Sequence, residues 1–213
     1  MKKIGILALT AVVGAAQAQT FTNSVWSSSL SNVGAQVATQ GTCIQLDLRN
    51  FVLNANNASG GLSWNFDFTS GANAYSSVDF TIYGSVTVAS PQWNTKLDIF
   101  ASEQVFDTSA AATMVGSGWI VTSKLATAGQ NSPVTQNFTA TVNIPFSALT
   151  SKGSVSKDMF FSLSGFGTNG GNAIIGSAEI SRIEQCFNPV PEPATMASLA
   201  IGTALLARRR RKS

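Results

Sequence analysis

Short runs in which apolar and polar residues alternate fill the middle of the chain. Ile44, Leu46 and Leu48 alternate with polar neighbours, and the same pattern recurs over residues 78–83 and 138–144. A period of two gives a strand one buried face and one solvent-exposed face, as an antiparallel sheet requires. Further strands are predicted over residues 62–69, 86–89, 95–101, 118–125, 159–166 and 173–184. A single helical turn is predicted over residues 145–150, and no long helical period occurs.

Clusters of Gly, Asn and Ser separate these runs. They lie at residues 54–61, 70–71, 129–133 and 168–172, and such clusters are typical of turns. Eight or more short strands at regular spacing predict an all-β fold, an antiparallel two-sheet sandwich with a jelly-roll-like arrangement. A β-solenoid is the alternative, but the sequence has no fixed internal repeat to support it. The predicted sandwich domain spans residues 19–188.

The N-terminus has the three parts of a secretory signal peptide: a charged start, an apolar run and a small-x-small cleavage site. These parts are Lys2 and Lys3, residues 4–15, and Ala16 and Ala18 before Gln19. They predict a signal peptide over residues 1–18 and a mature chain that begins at Gln19. A short buried helix is the alternative interpretation.

The C-terminal segment, residues 189–213, also has three parts. Pro191 and Pro193 flank Glu192 and predict an extended spacer, because each proline restricts its own φ and the residue before it. The apolar run 194–207 would span about 21 Å as a helix, which is short for a bilayer that needs about 20 residues. A basic cluster ends the chain: Arg208, Arg209, Arg210, Arg211 and Lys212.

The basic cluster favours retention of the C-terminal end in the cytoplasm, so the segment predicts a temporary membrane anchor rather than a permanent one. A buried C-terminal helix is the alternative. Against it, residues 194–207 have no polar face, and five consecutive cations are unusual at the end of a core helix.

The motif Val190-Pro191-Glu192-Pro193, followed by the apolar run and the basic cluster, resembles the PEP-CTERM sorting signal of Gram-negative bacteria. The resemblance covers only the tail. It implies that a membrane-embedded cysteine protease, an exosortase, recognises and cleaves the tail. It also implies a producer that makes exopolysaccharide and biofilm. We therefore expect an exported protein that is transiently anchored in the inner membrane and then reaches the cell surface or the extracellular matrix.

The two terminal segments distort the charge of the chain. The full sequence has 13 basic and 10 acidic residues and a net charge of +3. Seven of the basic residues lie in the predicted signal peptide and tail, which leaves six cations and nine anions in the body. A body with a net charge of −3 has no basic surface for nucleic acid, so we expect no nucleic-acid partner.

The absence of histidine limits the possible chemistry. It excludes the usual Ser-His-Asp and Cys-His triads and histidine-ligated metals. A pair of carboxylates, as in glycoside hydrolysis, remains possible, and the glutamates of the body are Glu103, Glu179 and Glu184. Glu179 and Glu184 are five residues apart, so on a regular strand they would face opposite sides. We expect no catalytic residues and no enzymatic activity.

No metal site or other cofactor is predicted. Two cysteines without histidine cannot form a closed zinc site. Asp67, Asp79, Asp98 and Asp107 could hold calcium only if they converged with loop carbonyls. No acidic calcium-loop motif is present in the sequence, so these aspartates are interpreted as solvated surface carboxylates.

Cys43 lies in an early predicted strand and Cys186 just past the last one. Export through an oxidising compartment favours a disulfide between them. Such a bond would tie the C-terminal strand to the N-terminal part of the domain. Two buried free thiols are the alternative.

Tryptophans could stack on sugar rings. The sequence predicts an exposed loop position for Trp93 and a core position for Trp64, while Trp119 fits either role. Our leading hypothesis is a non-enzymatic exported protein with a structural or adhesive role at the cell surface or in an exopolysaccharide matrix. The alternative is a carbohydrate-binding module or a polysaccharide-active enzyme of the same matrix.

Overall fold

A computed structural model describes residues 19–71, 73–127, 133–167 and 170–190. These residues form eleven β-strands. In chain order they are β1 (Thr20–Ser28), β2 (Gly34–Gln40), β3 (Cys43–Arg49), β4 (Val52–Leu53), β5 (Ser59–Thr69), β6 (Tyr75–Val88), β7 (Trp93–Asp107), β8 (Thr113–Ala126), β9 (Val134–Thr150), β10 (Lys152–Gly167) and β11 (Gly176–Pro189).

The strands form two antiparallel sheets. The five-stranded sheet has the order β1-β5-β10-β7-β8, and the six-stranded sheet has the order β2-β3-β11-β6-β9, with β4 paired to β11. From β5 onward, most connections cross from one sheet to the other, as in a jelly roll. The predicted all-β, antiparallel two-sheet sandwich is therefore confirmed.

The core lies between the inner faces of the two sheets. Its centre is aromatic: the ring of Phe187 on β11 lies 4.4 Å from that of Phe68 on β5 and 5.1 Å from that of Tyr75 on β6. Trp64 is fully buried, and its indole N–H donates to the hydroxyl of Ser24 at 2.9 Å. This bond satisfies the polar atom of the indole, as burial of a tryptophan requires.

The predicted helical turn at residues 145–150 is wrong, because β9 continues as a strand to Thr150. The register explains the ambiguous pattern. Pro145 pairs with Ser77 and Thr150 pairs with Tyr75, so the residues between them bulge out of the ladder. β9 is an edge strand, and edges and bulges are where a sheet tolerates proline.

Candidate functional site

The outer face of the five-stranded sheet carries a patch of exposed apolar side chains. Trp119 is 69% exposed and Val121 is 68% exposed, while Phe100 and Phe160 are about half exposed. Large apolar groups rarely cluster on a soluble surface unless they contact a ligand or a partner. We call these four residues the aromatic strip.

The strand register assembles the aromatic strip. Phe160 on β10 lies directly opposite Phe100 on β7, and Phe100 lies directly opposite Val121 on β8. Trp119 is two residues before Val121 and therefore projects from the same face of the sheet. Because opposed side chains on paired strands lie about 4.5–5.5 Å apart at Cβ, the strip forms one continuous surface across three strands.

A polar row runs beside the aromatic strip and crosses the whole sheet. It contains Ser27, Ser63, Asp158 and Ser102, each paired with the next across the ladder, and it ends at Trp119. The hydroxyls of Ser27 and Ser63 share a hydrogen bond of 2.7 Å. The row therefore places hydroxyl groups and one carboxylate along the edge of the strip.

A second polar row lies on the other side of the aromatic strip. Asp98 on β7 is opposite Ser162 on β10 and Ser123 on β8. Partial burial raises the pKa of Asp98, but the Ser123 hydroxyl and the Lys96 ammonium, 2.9 Å away, outweigh burial and lower the pKa overall. The carboxylate is therefore ionised at neutral pH.

The first polar row and the aromatic strip line a groove of about 540 Å³. Gly61 on β5 pairs with Phe160 on β10, and a Cβ at Gly61 would meet no atom closer than 3.7 Å. The missing side chain therefore leaves open space between Phe160 and Ser29, whose hydroxyl accepts from the Gly61 N–H at 2.7 Å. The groove combines flat apolar rings with the hydroxyl groups and the carboxylate of the first polar row, while the second polar row lies beyond the strip.

The structure changes the roles predicted for the tryptophans. Trp93 is the first residue of β7 and is half-buried against the core, so its predicted exposed loop position is wrong. Two glycines contribute to the burial, since Gly167 and Gly171 leave space beside the indole of Trp93. Trp64 lies in the core as predicted. Trp119, for which the sequence left both roles open, is the tryptophan of the groove.

The prediction that Glu179 and Glu184 face opposite sides is wrong. A β-bulge between Ile180 and Arg182 shifts the alternation of β11. Both glutamates consequently project from the outer face of the six-stranded sheet, where Glu184 accepts hydrogen bonds from Gln45 at 2.7 Å and from the Tyr83 hydroxyl at 3.1 Å. Glu103, in contrast, is buried in the core.

The aspartates considered for calcium do not converge. Asp67 lies on β5 and Asp79 on β6, in different sheets, where both contact asparagine amides. Asp98 and Asp107 lie nine residues apart on β7. Within the described ranges, no group of three or more carboxylate, cysteine or histidine residues could hold a metal ion.

Cys43 and Cys186 form a disulfide, with their Cα atoms 4.1 Å apart. Cys186 lies inside β11 rather than past the last strand, and it pairs directly with Cys43 on β3. Near the C-terminus, the N–H of Val190 donates to the carbonyl of Ala74 at 2.9 Å. Val190 is thus hydrogen-bonded to the residue that precedes β6, at the point where the predicted sorting segment begins.

Most of the predicted targeting residues lie outside the described residues: Ala16, Ala18, Pro191, Glu192, Pro193, Arg208, Arg209, Arg210, Arg211 and Lys212. Gln19, the predicted mature start, is the first described residue. Within the part of the chain that the structure describes, no helix is long and apolar enough to cross a membrane.

Sequence reasoning missed Phe100, Phe160 and Asp158 as site residues. A signal was present, because Phe100 occupies the polar phase of the alternation over residues 95–101. Phe160 and Phe161 are adjacent, so one of them has to face outward on a strand. Only the pairing of β7 with β10 on one side and with β8 on the other shows that these outward residues are neighbours.

Comparison with solved structures found several β-rich proteins at low similarity. TmCBM61, solved in complex with beta-1,4-galactotriose, is 10% identical with a TM-score of 0.28, over 80% of this chain and 90% of that one. A family 11 carbohydrate-binding module from Clostridium thermocellum is 10% identical with a TM-score of 0.25, over 82% of this chain and 98% of that one. The infectious bursal disease virus Gx strain structure gives 13% identity and a TM-score of 0.27, over 99% of this chain and 55% of that one. Because these TM-scores are below 0.5, we infer neither ligand nor function from them.

No curated protein is significantly similar to the chain. A protein-family model does match its C-terminal end, over residues 189–212, where the sequence predicted a spacer, an apolar run and a basic cluster. The match confirms the resemblance on which the prediction of export rested. The chain carries a PEP-CTERM protein-sorting motif, which indicates an exported protein that an exosortase processes.

Proposed function

We propose that this protein is a non-catalytic adhesin of the cell surface or extracellular matrix that binds polysaccharide in the groove of the five-stranded sheet. Export begins with the signal peptide, and the PEP-CTERM segment then anchors the chain briefly in the inner membrane before an exosortase cleaves it. The observation that carries the binding role is the aromatic strip, formed by Phe100, Trp119, Val121 and Phe160 and bordered by polar rows.

The groove suits a saccharide for a chemical reason. A sugar ring has an apolar C–H face and a rim of hydroxyl groups, so it needs a flat apolar surface with hydrogen-bonding groups beside it. Trp119 and Phe100 supply such a surface, and Asp158 and Ser102 supply groups at its edge. Binding sites commonly combine an apolar lining with a few placed polar groups. A groove on the outer face of a sheet also suits a polymer, because it is open to solvent.

The placement of the glutamates supports binding rather than hydrolysis. Glu103 is in the core, beyond the reach of a polymeric substrate. Glu179 and Glu184 lie on the other sheet, away from the groove, and Glu184 is already hydrogen-bonded to Gln45 and Tyr83. Near the aromatic strip, the carboxylates are Asp98 and Asp158, and Asp98 is held by Lys96 and Ser123.

The groove is tested by affinity electrophoresis of the secreted protein in gels that contain the producer's own exopolysaccharide. We expect Trp119→Ala and Phe100→Ala each to weaken binding roughly fivefold, since one aromatic contact is worth about 1 kcal/mol. Leu149→Ala is the matched control, because Leu149 is 59% exposed but lies on β9 of the other sheet. Binding that is unchanged in both groove variants would exclude the groove as the polysaccharide site. Capture of a protein instead of polysaccharide would show that the groove is a protein-binding surface.

The sorting route is tested by the intact mass of the secreted protein. We expect a mature chain that begins at Gln19 and lacks at least Arg208 to Ser213. Deletion of the exosortase should leave the precursor in the inner membrane fraction. A secreted protein that retains its full basic tail would refute processing, whatever the groove binds.

A further inference from the structure

Lys157 lies in the hydrophobic core, although lysine is almost never fully buried. Its side chain is 0% exposed. On β10 it occupies the inward phase, between Val155 and Met159, which are also buried. A lone ammonium in such surroundings costs several kcal/mol of lost hydration, so a lysine at this position requires partner groups that compensate for this loss.

Aromatic rings surround the amine of Lys157. Its Nζ lies 5.3 Å from the ring centre of Trp64, 4.9 Å from that of Phe66 and 5.2 Å from that of Phe80. Trp64 and Phe66 belong to the five-stranded sheet, and Phe80 belongs to the other sheet. We call these three rings the aromatic cage.

Glu103 faces the amine from the neighbouring strand. Glu103 on β7 and Lys157 on β10 are directly opposite in the ladder, and both side chains are fully buried. Nζ lies 3.3 Å from Oε2 of Glu103, but neither atom has a partner with hydrogen-bond geometry. The two groups therefore approach closely without a strong hydrogen bond between them.

Gln185 reaches the same carboxyl from the opposite sheet. Gln185 lies on β11 and is 0% exposed. Its Nε2 donates to Oε1 of Glu103 at 2.5 Å, and its own Oε1 has no hydrogen-bond partner. Glu103 thus stands between an amine and a carboxamide: one of its oxygens faces the amine, and the other holds the amide nitrogen.

The surroundings of this triad favour uncharged groups. Burial raises the pKa of Glu103, against the attraction of Lys157. Burial also lowers the pKa of Lys157 to about 8, again against the attraction of its partner. A neutral amine is a nucleophile, whereas an ammonium is not. Burial therefore makes the nucleophilic amine of Lys157 and the acid form of Glu103 more accessible than they are in water, whereas the ring faces of the cage favour the ammonium.

We propose that Lys157, Glu103 and Gln185 form an autocatalytic cross-linking site, in which the amine of Lys157 attacks the carboxamide of Gln185 and joins the two sheets by an isopeptide bond. The reaction needs no cofactor and occurs once per chain. Its driving feature is that two buried ionisable groups are left as a neutral amide and a neutral carboxylic acid.

Atoms and protons balance in this step. Glu103 first takes a proton from the Lys157 ammonium, and the free amine then attacks Cδ of Gln185. Glu103 delivers a proton to Nε2, the atom that it already holds, and takes a second proton from Nζ. The Cδ–Nε2 bond breaks and ammonia leaves, while an Nζ–Cδ amide remains. Glu103 ends as a neutral carboxylic acid, which suits its burial.

The proposal is tested by peptide mapping of the full secreted protein after its disulfide is reduced. A cross-linked Lys157 resists trypsin, so residues 153–182 should remain one peptide, joined to the peptide that starts at Ile183. The joined peptide should weigh less than the sum of its parts by one molecule of ammonia. Mapping is required because cyclisation of an N-terminal Gln19 would also release ammonia.

Two variants and one control test the roles of Lys157 and Glu103. Lys157→Arg and Glu103→Gln should abolish the joined peptide. Lys124→Arg is the matched control, which should retain it because Lys124 on β8 is only partly buried and its amine donates to the carbonyl of Thr139 instead. A wild-type protein that yields separate, unmodified peptides overturns the proposal, even if the variants fail to fold. A joined peptide that persists in Glu103→Gln overturns the role of Glu103 as the proton carrier.

Discussion

Removal of the disulfide should destabilise the domain substantially without changing its fold. Cys43 and Cys186 are the two cysteines of the chain, so the double variant Cys43→Ala with Cys186→Ala has no thiol that can mispair. The bond joins β3 to β11, and β11 is also hydrogen-bonded to β6 on its other side. The folded strands thus remain paired when the bond is absent, and the main effect falls on the unfolded chain.

The magnitude follows from the length of the closed loop. The cysteines are separated by 143 residues, and a loop of this length reduces the chain entropy of the unfolded state by about 5 kcal/mol at 25 °C. Measured disulfides commonly contribute about 2–4 kcal/mol. We therefore expect the free energy of unfolding to fall by about 3–5 kcal/mol in the double variant.

Equilibrium urea unfolding of the oxidised wild type and of the double variant measures this difference. The unlinked chain exposes more surface when it unfolds, so its m-value should also rise. Wild type with its disulfide reduced serves as the control and should behave like the double variant. A loss below about 1 kcal/mol with an unchanged m-value would refute the reasoning from chain entropy.

Two further changes test the packing and the acid stability. Gly153→Ala should cost roughly 2–3 kcal/mol, because the new Cβ would lie 2.2 Å from the carbonyl oxygen of Phe106. Gly61→Ala, with 3.7 Å of clearance, is its control in urea unfolding. Hydrogen bonds from Ser109 lower the pKa of Asp107 in the folded protein below its pKa in the unfolded chain. The ionised Asp107 therefore stabilises the fold at any pH above its unfolded pKa, and this stabilisation is lost as the pH falls through the folded pKa. Asp107→Asn should therefore reduce the acid-induced drop in melting temperature between about pH 5 and pH 2, and an unchanged drop would contradict this assignment.

The strands that alternate strictly were predictable from the sequence. The runs 44–49, 78–83 and 138–144 lie within β3, β6 and β9. In contrast, β1 and β2 are rich in Ser, Thr and Gln and have few buried residues, so no apolar phase marks them. The predicted runs 78–83 and 86–89 belong to one strand, since Gly84 continues the ladder opposite Ile180.

The groove was not predictable, because it depends on which outward residues the register places side by side. Phe100 and Phe160 are distant in sequence and meet only through the pairing of β7 with β10. The buried triad did leave a local signal. Lys157, Glu103 and Gln185 each occupy the apolar phase of a strand, with buried apolar residues two positions away on both sides. A charged residue in an apolar phase marks either an interrupted strand or a buried polar site, and only the structure distinguishes the two.

The covalent links concentrate on β11, the strand that leads into the sorting segment. Gln185 faces the core and Cys186 faces outward, so these consecutive residues link β11 to different neighbours. The proposed isopeptide bond of Gln185 links β11 to the five-stranded sheet, and the disulfide of Cys186 links it to β3. If the chain is held at the membrane through its C-terminus, any pull on the domain enters through β11. A strand paired on both sides must break many hydrogen bonds together before it leaves its sheet. The disulfide and the proposed isopeptide bond would prevent extraction of β11 even after those hydrogen bonds break. The Lys157→Arg variant should therefore lose β11 at lower force or lower urea concentration than wild type, while the disulfide still limits how far that strand can separate from β3.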